Sequence, residues 1–214
     1  MMKLYEFGDP DSDIVLIQPV DDHDLEGIEK EFATISNNCN MSFHLTAVRI
    51  NDWNNDLSPW EAPAVFGNKG FGNGASNTLN ELLELCGNKS RTYYIGGYSL
   101  AGLFSLWASY QTDIFGGVAA ASPSIWFPGF AEYMRKNDIR TDTVYLSLGN
   151  REEKTRNPVM ATVGDRIREA HVLLKESGVN NILEWNEGNH FKDADLRTAR
   201  AFTWVLNNPA NSPA

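Results

Sequence analysis

The stretch Tyr93-Tyr94-Ile95-Gly96-Gly97-Tyr98-Ser99-Leu100-Ala101-Gly102-Leu103-Phe104 reads as a buried strand, a sharp turn and an apolar helix, with one serine at the bend. A serine at such a bend is pushed out of the sheet edge with its hydroxyl exposed. The residues two before and two after it face each other across the turn and must be small. Here they are Gly97 and Ala101. This is the local geometry a serine nucleophile needs. It is also the geometry of a Gly-rich βα turn whose serine caps a helix, and the rest of the chain separates the two readings.

Short, β-branched apolar runs alternate with amphipathic segments along the whole chain. Strands are expected at 13–20, 43–50, 91–96, 115–121, 143–148 and 181–185, with only Leu4 to Phe7 available as a further one. Helices are expected from Asp21 through Ile35, at 78–85, 100–110, 130–136 and 158–177, and from Asp193 to Leu206. Continuous apolar strands suit a sheet buried on both faces. Their alternation with helices implies right-handed βαβ units and an α/β fold with a mostly parallel sheet of about six strands. No internal repeat or linker divides the 214 residues, so one domain spanning 1–214 is expected, with 207–214 as a polar tail. In such sheets the active groups sit beyond the carboxyl ends of the strands.

The net charge of −10 argues against nucleic acid or an anionic membrane as a partner. No run of 18 apolar residues and no signal-peptide pattern is present. Cys39 and Cys86 lack metal or redox spacing and read as two free thiols. A cytoplasmic protein is the expectation. There is no P-loop lysine and no G-x-G-x-x-G, so Gly96-Gly97 does not read as a phosphate turn, and neither cofactor nor metal is called for. His23, between Asp22 and Asp24, reads as part of a capped helix start rather than a metal ligand, because adjacent helical residues do not converge on one ion. The segment Asn51 to Ser76 is long for an irregular connection and rich in Trp, Pro and Gly. Its Trp53 and Trp60 either wall a pocket or pin the loop to the core.

A serine hydroxyl is a poor nucleophile unless a base takes its proton, and that base is usually a histidine oriented by a carboxylate. Of four histidines, His23 starts a helix, His44 lies in a strand and His171 lies in a helix. Only His190 sits in a short Gly-containing loop just past a strand's carboxyl end, on the edge that holds Ser99. The acid should fall between Ser99 and His190 in the chain. Asp113 and Asp142 lie at the opposite sheet edge, and Glu187 is too near His190 in sequence to approach it side-on. Glu152 and Glu153, just past the fifth strand, both remain. The oxyanion of an acyl-transfer intermediate needs fixed donors. The Leu100 N–H, opening the helix after Ser99, is one candidate. The loop after the first buried strand supplies a second, Val20 or Asp21, since Pro19 has no N–H.

These residues resemble the esterase D and enterochelin-esterase-like branch of the α/β-hydrolases. Gly97-Tyr98-Ser99-Leu100-Ala101-Gly102 is similar to the branch's G-x-S-x-[GA]-G elbow. Asp56-Leu57-Ser58-Pro59 is similar to its D-L-[ST]-P. Ser122-Pro123-Ser124-Ile125-Trp126 resembles its S-x-S-x-W, and Asn186 to Phe191 resembles its histidine segment. The family tends to carry its acid in a Gly-x-x-Glu after the penultimate strand, here Gly149 to Glu152, and this puts Glu152 ahead of Glu153. The resemblance implies a single-domain α/β-hydrolase fold with reduced N-terminal strands and no cap domain. It implies a serine esterase acting on small carboxylic esters or thioesters through an acyl-enzyme, with Ser99, His190 and Glu152 as catalytic residues. Trp53, Trp60 and Trp126 are the candidate pocket walls. An acyltransferase or peptidase on the same fold, or a non-catalytic module, are the alternatives.

Overall fold

The computed structural model describes residues 2–209; residues 210–214, the end of the expected polar tail, lie outside the described residues. Seven strands form one sheet in the order β1-β3-β2-β4-β5-β6-β7. They are β1 (Lys3–Gly8), β2 (Ile14–Val20), β3 (His44–Arg49), β4 (Thr92–Tyr98), β5 (Phe115–Ala121), β6 (Thr143–Gly149) and β7 (Asn180–Asn186). All neighbours pair in parallel except β1, which runs antiparallel to β3 with Lys3 opposite Arg49 and Gly8 opposite His44. The seventh strand is therefore the short N-terminal segment. Its inward side chains, Tyr5 and Phe7, pack on the core beside Phe32.

The connecting helices are α1 (Asp22–Asn38), the single turn α2 (Trp53–Asp56), α3 (Ala75–Leu85), α4 (Leu100–Gln111), α5 (Phe130–Lys136), α6 (Val163–Glu176) and α7 (Ala194–Asn207). Successive strand residues point to opposite faces, and this builds two cores. Ile17, Ile95, Val118 and Ala120 meet α3, α4 and α6 on one face. Leu16, Tyr94, Ala119 and Ala121 meet α1 and α7 on the other. Helix α4 is buried from Leu100 to Tyr110, which accounts for a sequence that is apolar on every side. Helix α6 starts five residues later than its hydrophobic period suggests. Asn157 Oδ1 accepts the N–H groups of Val159 and Met160 at 3.0 and 3.1 Å, and a 3-10 turn at Met160–Thr162 precedes the helix.

Strand β2 lies between β3 and β4. The chain thus goes to one side of β2, then returns to the other, and continues outward through β5, β6 and β7. The reversal leaves a crevice beyond the carboxyl ends of β2 and β4, where α/β sheets place their ligands. Ser99 follows β4 at that point.

Candidate active site

Ser99 joins β4 to α4 with φ 56° and ψ −118°, a backbone conformation that non-glycine residues rarely adopt. Three hydrogen bonds hold the bend. The Ser99 N–H donates to Ala121 O at 3.1 Å, and Ser99 O accepts from the N–H groups of Ser124 and Leu103 at 3.0 and 3.1 Å. A Cβ on Gly97 would sit 2.7 Å from Ala101 Cβ, and one on Gly102 would sit 2.9 Å from Gly97 O. Glycine is therefore needed at 97 and 102, while alanine fits at 101.

The bend leaves Ser99 partly exposed and within reach of two partners. His190 Nε2 lies 3.0 Å from Ser99 Oγ, and Ser124 Oγ lies 3.2 Å from it. On the other side of the imidazole, Nδ1 is 2.7 Å from Glu152 Oε2. His190 reaches this position from the loop after β7, and Glu152 from the turn after β6. That turn requires Gly149, where any Cβ would meet Gly188 O at 2.5 Å. Glu153, the neighbouring carboxylate, points away and pairs with Arg168 at 3.3 Å. Glu187 pairs with Lys192 at the surface. Of the acids left open by spacing alone, only Glu152 touches the histidine.

The second carboxylate oxygen, Glu152 Oε1, accepts from Gly149 N–H at 2.7 Å, Ser122 Oγ at 2.9 Å and Arg197 Nη1 at 3.0 Å. Burial pushes the Glu152 carboxyl up, but the His190 hydrogen bond, the charge there and the Gly149 and Ser122 donors outweigh it. The group is held below its ordinary value. Arg197 is 1% exposed. Its Nη1 also donates to the Tyr98 hydroxyl at 3.0 Å, and Nη2 donates to Glu187 O and Asn189 O at 3.1 and 3.0 Å. Tyr98 in turn donates to His190 O at 2.8 Å. Burial, with the Glu152 charge, pushes the Tyr98 phenol up to about 12, so it stays a donor.

Arg197 and Tyr98 were not among the sequence candidates. Arg197 lies on the same α7 stripe as Ala201 and Val205, and an arginine on an apolar stripe is the signal that could have found it.

The other sequence candidates fall differently. Leu100 opens α4, where its N–H has no intrahelical acceptor. Val20 is fully buried in the β2–β3 ladder, and its carbonyl accepts from Ile50 N–H at 2.9 Å. The Asp21 N–H is taken by Asp24 Oδ2 at 3.2 Å, in the capping box that starts α1. Trp53 packs partly buried against the core. Trp60 donates from Nε1 to Pro128 O at 2.8 Å and packs on Phe127, Phe130 and Tyr133. Both pin the loop. Trp126, between Phe66 and Phe71, lines a cavity of about 430 Å³ with Pro158 and Val159.

No family model matches the chain. An uncharacterized protein of Bacillus subtilis (strain 168), YbbA, is 26% identical over 137 residues, covering 58% of this chain and 55% of that protein. Among solved structures, an IroE-like serine hydrolase from Shewanella oneidensis superposes with a TM-score of 0.71 at 14% identity, covering 96% of this chain and 76% of that one. The Bacillus cereus carboxylesterase gives 0.64 at 14%, covering 96% and 95%. The enterobactin esterase FES from Shigella flexneri gives 0.63 at 13%, covering 95% and 54%. The parallel sheet, the serine at the switch point and these superpositions agree: the chain has the α/β-hydrolase fold, in the form found in these esterases and serine hydrolases.

Proposed function

We propose that this protein is a single-domain serine hydrolase of carboxylic esters or thioesters that works through an acyl-enzyme. The observation that carries the reading is the unbroken line from Ser99 Oγ to His190 Nε2 at 3.0 Å and from His190 Nδ1 to Glu152 Oε2 at 2.7 Å, placed at a strained strand-to-helix turn. Glu152, ionised, accepts the Nδ1–H and fixes the tautomer in which Nε2 is free to receive a proton. Ser99 attacks the ester carbonyl as its proton passes to Nε2. The Leu100 N–H stabilises the oxyanion. The imidazolium then hands its proton to the leaving alcohol, and water repeats the sequence on the acyl-serine. The turn around Ser99 acts as the nucleophile elbow and the three side chains as a catalytic triad.

The fold shared with a serine hydrolase and two esterases supports the same chemistry. Among the described residues, no helix is long and apolar enough to cross a membrane. We place the protein in the cytoplasm, a location supported by its two unpaired cysteines, Cys39 and Cys86. A series of p-nitrophenyl esters of increasing acyl length tests the reading. Turnover with a preferred acyl length, lost in His190→Ala, is expected. Release of p-nitrophenol no faster than in the His190→Ala chain contradicts it.

A further inference from the structure

Ser99 Oγ has a second neighbour that the mechanism above does not use. Ser124 Oγ lies 3.2 Å from it. Ser124 is 2% exposed, and among the described residues its hydroxyl has no other hydrogen-bond partner. The backbone holds it in place. Ser122, with φ 40°, turns the chain sharply where β5 ends. The Ser124 N–H then donates to Ser99 O at 3.0 Å, and Ser124 O accepts from Phe127 N–H at 2.9 Å. The segment rests on the first turn of α4, where a Cβ on Gly102 would meet Pro123 Cα at 3.3 Å. Ser122 itself donates to Glu152 Oε1 at 2.9 Å. One turn after β5 thus touches both ends of the line from Ser99 to Glu152.

Counting protons fixes the direction of the bond between the two serines. Ionised Glu152 accepts the Nδ1–H of His190 at 2.7 Å, so Nε2 carries a lone pair. Ser99 has one hydroxyl proton and gives it to Nε2 at 3.0 Å. Toward Ser124 it is left only to accept. The Ser124 O–H is therefore the donor, aimed at the atom that attacks the ester.

We propose that Ser124 is a fourth catalytic residue, whose hydroxyl stabilises the negative charge that develops on Ser99 Oγ. This role rests on the ester-hydrolase reading above. As the Ser99 proton passes to His190 Nε2, Oγ becomes negative before its bond to the carbonyl carbon is complete. A hydrogen bond to a charged acceptor is about twice as strong as a neutral one. Ser124 therefore stabilises the transition state more than the resting enzyme. Its own proton stays on Ser124 Oγ throughout. Once the bond to carbon has formed, Ser99 Oγ is an ester oxygen and a weaker acceptor. In deacylation that bond breaks, charge returns to Oγ, and Ser124 meets it again as His190 hands back the proton. The same donor acts in both halves of the reaction. Losing it slows acylation and deacylation together, so kcat falls while KM, set by binding and by the ratio of the two steps, stays.

The test measures p-nitrophenyl acetate turnover by the parent chain, Ser124→Ala, Ser124→Thr and Ser124→Val. Each sample is normalised to the sites a fluorophosphonate labels at completion, so any unfolded fraction drops out. Ser124→Ala should lower kcat roughly tenfold or more, short of the roughly 10²–10³-fold loss of an oxyanion-hole donor. Its KM should stay within about twofold of the parent's. Threonine and valine have nearly the same shape and differ in the hydroxyl. Ser124→Thr should therefore exceed Ser124→Val in kcat by roughly tenfold, whatever strain the extra methyl brings to both. This pair decides the matter alone if Ser124→Ala does not fold. A kcat for Ser124→Ala within about twofold of the parent's overturns the role, as does a loss carried by KM, or equal kcat for the threonine and valine variants. A parent chain that releases p-nitrophenol no faster than Ser99→Ala removes the ester-hydrolase reading itself, and the role of Ser124 with it.

Discussion

Glu152 meets one charge-bearing partner at each carboxyl oxygen: His190 at Oε2 and Arg197 at Oε1. The arrangement separates orienting the base from neutralising a buried carboxylate. Arg197→Met leaves that carboxylate without a cation, which should cost about 3–5 kcal/mol in denaturant titrations. Arg197→Lys restores the charge but not the fork that also holds Glu187 O and Asn189 O, so it recovers stability better than kcat. Glu152→Gln keeps the shape and removes the charge that fixes the tautomer. It should lower kcat by roughly 10²–10⁴-fold with little change in KM, measured on any ester the parent turns over. Ser99 and His190 were legible at this scale because their chemistry narrows the choice: one serine at a bend, one histidine past a strand end. Glu152 could not be separated from Glu153 by spacing, since adjacent residues in a turn differ in direction and direction is a three-dimensional fact. Arg197 was hidden because an arginine in an amphipathic helix ordinarily faces water.

Between β4 and α4, steric closeness rather than residue identity governs the turn. Ala101→Gly should preserve activity and cost about 1 kcal/mol of helix stability. Gly97→Ala drives a methyl against Ala101 Cβ at 2.7 Å, and the resulting shift of Ser99 should cut kcat/KM roughly tenfold or more. Helix α1 carries a separate signature. Asp24, at about 7 in the folded chain, and Glu31, also raised, bind protons more tightly folded than unfolded. Their contribution to stability is full below the ordinary carboxylate range, about 4, and is lost as pH rises through their folded values. Glu152 works the other way, adding stability above that range and losing it as pH falls through its lowered value. Asp24→Asn should therefore narrow the Tm difference between pH 5 and pH 8, as read by thermal melts. The N-terminal cap of α1 was readable from Asp21 and Asp24. That Glu31 turns inward was not, because a glutamate on a helix stripe looks solvated until the neighbouring helix α7 is in place.

Across the whole molecule, the sheet follows from alternating apolar runs, and the site follows from the sheet. The reversal of strand order at β2 and β4 is what brings the turn after β4 together with the loops after β6 and β7. Six strands announced themselves by continuous apolar sequence. The seventh did not, because β1 exposes four of its six residues and so carries little apolar sequence. The long loop from Asn51 to Ser76 was readable as aromatic-rich, with pinning as one of two readings, but its anchor point was not readable. Its anchor, Pro128 O, lies 68 residues away in sequence from Trp60. Everything in this account depends on Ser99 being a nucleophile activated by His190. Intact-mass analysis after exposure to a fluorophosphonate measures that directly. The parent chain should gain one phosphonyl adduct, mapped to Ser99, while Ser99→Ala gains none and His190→Ala labels far more slowly. Equal labelling of the parent and Ser99→Ala, or no labelling of a folded parent chain, would contradict it.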